Sequence, residues 1–290
     1  GLPGLLVPGK SAEPVRRAVA YDGPGKLTKP AYSCFVSSEA QFRDMLLLEV
    51  NRGCPYGCRF CAAGSIYKPP RHADIESLQD IVSRCEPHKV GLVGTALTDW
   101  PDLLPFLRWL QERRIKFSLS SLRADGLTEE LLGFLRHTGT RSVTLALEGA
   151  SRRLRRAMNK HFSEEAFLEA VGRVSRLQFG TRKLYMITGW PDEGEEDWDE
   201  FESFLACLDE ARRRGQGNRK KGVELVSLSV SCLVPKAWTP LQWAEVRDEV
   251  WFKAAMRRFK GAVGRFKGMR FAGENPGQAR VQMFLARGGE

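Results

Sequence analysis

The chain has 290 residues, 42% of them hydrophobic, with 45 Lys and Arg against 35 Asp and Glu, a net charge of +10. That is enough apolar material for one barrel-sized domain or two smaller ones, and the absence of any run of about 18 apolar residues excludes a membrane-spanning helix. Seven cysteines, four of them scattered singly at Cys34, Cys85, Cys207 and Cys232, suit a reducing cytoplasm better than a disulfide framework.

Residues 1–44 are rich in Pro and Gly, show no period, and read as an extended N-terminal lead-in. Their first nine are apolar but broken by Pro and Gly, unlike a signal-peptide core. Gly1 in place of Met leads us to expect a piece of a longer protein. From residue 45 a regular alternation begins. Residues 45–51 form a near-continuous apolar run, as in a buried parallel strand, followed by a cysteine-rich loop. Helical spacing at Ile75, Leu78, Ile81 and Val82 predicts a helix over 75–85, with a strand at 89–93. A helix over 103–111, with Asp99 as its start signal, precedes a strand at 115–119. A helix over 127–137 and a strand at 142–147 follow. The next helix, 163–177, opens on a capping Ser163. A strand at 183–188, a helix at 195–213 and a strand at 223–232 continue the pattern. A long amphipathic helix is expected at 241–266, interrupted at Gly261 and Gly264, with one more strand and helix in 268–290.

Six strand–helix units in a row predict an α/β fold with a parallel sheet and right-handed crossovers. Periodicity fits a doubly wound sheet and a barrel equally. The expected domains are the lead-in 1–44, a core at 45–240, and a C-terminal helix and extension at 241–290.

The loop after the first strand reads Cys54-Pro55-Tyr56-Gly57-Cys58-Arg59-Phe60-Cys61, a C-x3-C-x2-C spacing. Thiolates this close can meet at one metal centre. A zinc site needs a fourth ligand, and the next candidate, His72, lies eleven residues beyond Cys61. Zinc and a structural cysteine knot stay open as alternatives. A [4Fe–4S] cluster is usually held by four thiolates; three leave one iron open. The amino and carboxylate groups of S-adenosylmethionine can chelate that iron. An electron from the cluster can then release a 5′-deoxyadenosyl radical.

This stretch resembles the signature of the radical S-adenosylmethionine (radical SAM) superfamily, in which an aromatic residue precedes the third cysteine, as Phe60 does. The resemblance implies a partial (β/α)6 TIM-like barrel, with the cluster loop after the first strand and Phe60 near the adenine. Segments including Tyr67 to Arg71, Val90 to Thr95, Ser121 to Asp125, Leu154 to Lys160 and Ser231 to Trp243 also resemble one uncharacterised subgroup. Members of that subgroup are often preceded by a cobalamin-binding-like domain. Residues 147–150, Leu-Glu-Gly-Ala, depart from its Pro-Glu-Ala-Gly. No cobalamin-ligating D-x-H-x-x-G motif is present, so the sequence offers no support for cobalamin itself.

In parallel α/β folds chemistry gathers at the C-terminal ends of the strands. The resemblance implies that Gly94 and Thr95 stand where the superfamily's Gly-Gly-Glu turn meets the methionyl amino group; otherwise they are a tight turn. Ser120, Ser121 and Arg123 end the third strand and either face the cofactor or form a cap with a surface salt bridge. Glu148 would accept hydrogen bonds from ribose hydroxyls. Lys160 would act as a point charge for the methionyl carboxylate, or is a solvated cation. Ile187 and Gly189 belong to a Gly-x-Pro-type turn against the adenine, where Trp190 is either a pocket wall or core. Cys232 reads as a buried thiol and Cys207 as core. The four histidines form no ligand pair, and no P-loop is present.

The basic runs Arg152-Arg153-Leu154-Arg155-Arg156, Arg212-Arg213-Arg214 and Arg219-Lys220-Lys221 either attract nucleic acid or are plain charged surface. Three functions compete. The first is a radical SAM enzyme using a [4Fe–4S] cluster and S-adenosylmethionine on a small-molecule, peptide or RNA substrate. It would have an electron donor such as flavodoxin or ferredoxin and a partner domain or subunit covering the barrel. The second is an RNA-modifying radical SAM methyltransferase or methylthiotransferase. The third is a non-catalytic iron–sulfur scaffold.

Overall fold

The computed structural model describes residues 25–120, 122–218 and 225–287. Lead-in residues 1–24, Ser121, the run Arg219-Lys220-Lys221, the first two residues of the strand expected at 223–232, and 288–290 lie outside the described residues. In chain order the elements are β1 (Gly25–Leu27), β2 (Leu46–Glu49), β3 (Asn51–Arg52), α1 (Ala63–Ile66), β4 (Arg71–Ala73), α2 (Ile75–Cys85), β5 (Lys89–Val93), α3 (Leu103–Glu112), β6 (Lys116–Leu119) and α4 (Glu129–His137). They continue as β7 (Ser142–Glu148), α5 (Arg152–Ala157), α6 (Glu164–Arg176), β8 (Thr181–Thr188), α7 (Glu195–Gln216), β9 (Leu225–Cys232), α8 (Glu249–Gly264), β10 (Met269–Gly273) and α9 (Pro276–Arg287).

Helix starts follow local chemistry. Asp74, Thr128, Ser151, Ser163 and Asp248 each accept a hydrogen bond from a backbone N–H of the first turn they cap. None of the described helices is long and apolar enough to cross a membrane.

Two parallel sheets, β2-β5-β6 and β7-β8-β9-β10, carry the fold. They join where Leu122 bridges Leu145 in parallel and its N–H donates to Thr144 O at 3.1 Å. The result is one ordered series, β2-β5-β6-β7-β8-β9-β10. Each step runs the same way, so right-handed crossovers place the helices on one face. That face holds the core: Leu48, Val90, Leu145, Leu184 and Leu228 are at most 1% exposed, against Leu78, Leu107, Phe167, Phe201, Phe252 and Phe259. Among the described residues no pairing returns from β10 to β2. The fold is an open, partial barrel of six β/α units, with β10 as a seventh parallel strand.

The described part of the lead-in pairs in extended form, β1 with β4 and Tyr32 in an antiparallel bridge to Leu48 on the outer edge of β2, while several other local expectations are corrected. The apolar run at 45–51 divides, because β3 leaves β2 to pair antiparallel with β4. The helix expected at 241–266 begins only at Glu249, where Asp248 caps it; it then runs through Gly261 to Gly264. Asp99 does not start the helix at 103; it ends a separate 3-10 turn, Leu97–Asp99. Cys207 is exposed rather than core. It lines a surface cleft between α6 and α7 with Glu169, Gly172 and Ala211, beside the stripe that buries Phe201, Phe204, Leu205 and Leu208.

Candidate metal centre

The cysteine loop is stitched down on two sides. On one side Asn51, 3% exposed, accepts from Thr95 N at 2.8 Å and donates to Ala96 O at 3.1 Å. Thr95 Oγ1 donates back to Gly53 O at 2.5 Å. A Cβ on Gly94 would lie 2.5 Å from Asn51 Oδ1, so this turn after β5 requires glycine. On the other side Arg59 N donates to Met158 O at 3.0 Å, Arg59 Nη1 to Ala157 O at 2.8 Å, and Asn159 Nδ2 to Gly57 O at 2.8 Å. The end of α5 is thus locked to the loop.

Cys54, Cys58 and Cys61 are free and half-buried. Burial pushes the Cys54 and Cys58 thiols up. A hydrogen bond from the Tyr56 backbone, and after it Arg123, draws Cys54 back down, and Lys160 does the same for Cys58. Each of these two thiols also feels the charge of the neighbouring cysteines. Among the described residues no three His, Cys, Asp or Glu side chains converge closely enough to hold one ion. Three half-buried thiols on one short loop, held in place from both sides, offer the sulfur donors that an iron–sulfur cluster takes. The donor set therefore fits such a cluster.

Strand ends bring further groups to this loop. Glu148 closes β7 with φ at +68°. Its carboxylate lies 3.8 Å from Lys160 Nζ, with both side chains at most 13% exposed. Burial pushes the Glu148 carboxyl up, and Lys160 opposes this. Both groups lie within electrostatic reach of Cys58. Arg123 reaches the loop indirectly. Its guanidinium stacks 3.6 Å over the Tyr56 ring and forks onto Asp125 at 3.1 and 2.5 Å. The Tyr56 hydroxyl, pushed up to about 12 first by burial and then by Asp99, donates to Asp99.

The remaining expected residues are placed as follows. Phe60 is half-buried against the core. Ile187 is half-buried on β8. Gly189 is buried at φ +97°, and a Cβ there would meet Phe252 at 2.5 Å, so core packing demands this glycine. Trp190 is core at 5% exposure. Ser120 is exposed and lines a separate cleft of about 190 Å³ between β6 and β7, away from the thiols. Cys232 is a buried thiol pushed up to about 12, by burial first.

Sequence reasoning assigned no part in the site to Asn51, Tyr56, Asp99, Asn159 and Glu193. Tyr56 and Asn159 sit inside segments already singled out, so only their roles were hidden. Glu193 accepts from Thr188 Oγ1, Gly189 N, Trp190 N and Trp198 Nε1 at 2.7–3.0 Å and closes the turn after β8. Its signal was an acid two residues past a Pro, in the turn that follows β8.

Residues 48–205 match the family model described as the Radical SAM superfamily. The chain is 30% identical over 273 residues to an uncharacterized protein of Methanocaldococcus jannaschii; the match covers 92% of this chain and 58% of that one. It is 27% identical over 196 residues to the tRNA-2-methylthio-N(6)-dimethylallyladenosine synthase of Opitutus terrae, covering 55% of this chain and 38% of the synthase. Among solved structures, Streptococcus suis SuiB bound to precursor peptide SuiA shares the fold with a TM-score of 0.53 at 12% identity, over 79% of this chain and 48% of SuiB. The chain thus spans well under two thirds of the length of each.

Proposed function

Because the chain belongs to the radical SAM superfamily, we propose that it is an enzyme that cleaves S-adenosylmethionine reductively at a [4Fe–4S] cluster held by Cys54, Cys58 and Cys61. One observation carries this reading. Groups that follow three further strands meet the three-thiol loop: Thr95 after β5 bonds Gly53, Arg123 after β6 stacks on Tyr56, and Glu148 at the end of β7, with Lys160 past α5, lies within electrostatic reach of Cys58.

When bound, the cluster and S-adenosylmethionine supply one electron and a 5′-deoxyadenosyl radical that takes a hydrogen atom from substrate. The chain's own residues bind and orient. Lys160 offers a cation for the methionyl carboxylate, and Glu148 an acceptor for ribose hydroxyls. Gly94 leaves its backbone open to the methionyl amino group. Phe60, Ile187 and Gly189 supply the apolar wall for the adenine. Arg123 is taken up by Tyr56 and Asp125, so its part is to hold the loop rather than to bind cofactor. An electron donor such as flavodoxin or ferredoxin, and a covering domain or subunit, complete the reaction.

The test is anaerobic reconstitution. The wild type is expected to bind about four irons and to yield 5′-deoxyadenosine with dithionite. C54A, C58A and C61A should each lose both the cluster absorbance and the product. A cluster-loaded wild type that yields no 5′-deoxyadenosine would sink the reading.

The match to a tRNA-modifying synthase favours RNA as a second reading of the substrate. Against it, α5 spends its charges internally: Arg152 pairs with Glu164, Arg153 with Asp197, and buried Arg155 with Glu164. Retention of tRNA that falls steeply between low and moderate salt would revive it.

A further inference from the structure

In a closed (β/α) barrel, layers of branched apolar side chains fill the interior. Here, along β7 to β10, the face of the sheet turned away from the helices carries polar side chains at its lower, N-terminal rows. Along β8 the residues alternate strictly: Arg182, Leu184, Met186 and Thr188 are buried, while Lys183 and Tyr185 are exposed. In-register neighbours on adjacent strands point to the same face. The pairing of β7, β8, β9 and β10 therefore sets Thr144, Lys183, Ser227 and Arg270 side by side in one row across the interior. The row above it holds Tyr185 and Ser229 between Ala146 and Ala272, whose small side chains leave the phenol standing clear at 42% exposure. The opposite wall is different, because Gly91 packs there against Met45 and Leu47.

Lys183 and Arg270 both lie on exposed positions. Neither carries an ion-pair partner among the described residues, whereas most arginines of α5 and α7 do. Two strand spacings put their backbones about 10 Å apart, with the Ser227 hydroxyl between them. Two cations without ion-pair partners among the described residues, flanking a hydroxyl on one exposed face of the sheet, match the charge and hydrogen-bonding needs of an oxyanion. Lys183 lies five residues before the end of β8, about 16 Å below the rim that carries the cysteine loop. An anion held there is remote from the reacting carbon and serves to position it.

Resting on the radical SAM reading, we infer that the substrate is a polar molecule bearing a carboxylate or phosphate. The row Thr144–Lys183–Ser227–Arg270 binds that anionic end, and Tyr185 and Ser229 contact its polar body.

The test is site-resolved acetylation of the reconstituted protein, read by mass spectrometry, with inorganic phosphate or succinate as the probe. Lys183 acetylation is expected to slow at least threefold with one of the two, and the probe that works tells phosphate from carboxylate. Lys253, on the outer face of α8, serves as the internal reference and should be unaffected. In R270M the protection of Lys183 should disappear, and a charge-keeping R270K should restore most of it. Equal labelling of Lys183 with and without both probes overturns the inference, as does protection that survives in R270M. Iron content and 5′-deoxyadenosine are measured on the same samples. A loaded, SAM-cleaving protein without protection defeats only the substrate assignment; a protein that assembles no cluster defeats the function on which it rests.

Discussion

Lys160 and Glu148 face each other across 3.8 Å with their side chains nearly shut off from water. Removing one member of a buried pair leaves the other charge without a partner, which costs about 3–5 kcal/mol. K160M is therefore expected to lower the urea midpoint sharply, and adding E148Q in the same chain should recover much of the loss; a double-mutant cycle checks it. Both residues were visible in the sequence, Glu148 as the acid at a strand end and Lys160 as a cation twelve residues later. Their contact was not, nor was the role of Asn51, because its partners Thr95 and Ala96 lie 44 and 45 residues away. Arg123 shows the converse. Its position suggested a cofactor ligand, yet Tyr56 and Asp125 occupy both its face and its edge.

The helix α5 is tied to α7 through two carboxylates, Glu200, which accepts from Arg152 N at 2.5 Å, and Asp197. Asp197, 2% exposed, accepts from Gly194 N at 3.0 Å, from Arg153 at 2.5 and 3.2 Å, and from the Ser151 hydroxyl. Burial alone would raise this carboxyl, but the bonds from Arg153 and Ser151 outweigh it and hold it below the ordinary Asp value of 3.8. A depressed carboxylate contributes stability that is present above that value and is lost as the pH falls through the lowered one. Urea unfolding between pH 6 and 3 should show the wild type losing stability more steeply than D197N at the acid end, with D197N weaker by about 1–3 kcal/mol at neutral pH. The element itself was not legible beforehand. Arg152–Ala157 has one large apolar residue, Leu154, and six residues show no period. The strands β1, β3 and β4, at two or three residues each, are likewise too short for alternation to be seen. The long helices and the six barrel strands were legible, because each repeats its apolar spacing over a turn or more.

An open barrel leaves edges, and exposed strand edges invite pairing with other chains. On β2 the edge is covered by residues 31–33: Ser33 N donates to Leu47 O at 3.0 Å, Glu49 N to Ala31 O at 2.8 Å, and Leu47 N to Ser33 Oγ at 3.0 Å. S33P removes the first and third of these bonds. Amide exchange at Leu47 and Glu49 is expected to accelerate roughly fivefold to tenfold, since one net hydrogen bond is worth about 1 kcal/mol. Exchange unchanged at both amides would mean that this segment does not guard the edge.

The sequence alone determined the α/β alternation, the family, and which three thiols stand together, because strand and helix periods and an eight-residue cysteine spacing are local properties of the chain. Only the tertiary structure decided which charges are spent on one another and which remain free. Lys183, Ser227 and Arg270 are 44 and 43 residues apart in the chain, and only the sheet register puts them in one row. No local pattern encodes a contact between residues so far apart; it exists only once the strands have paired.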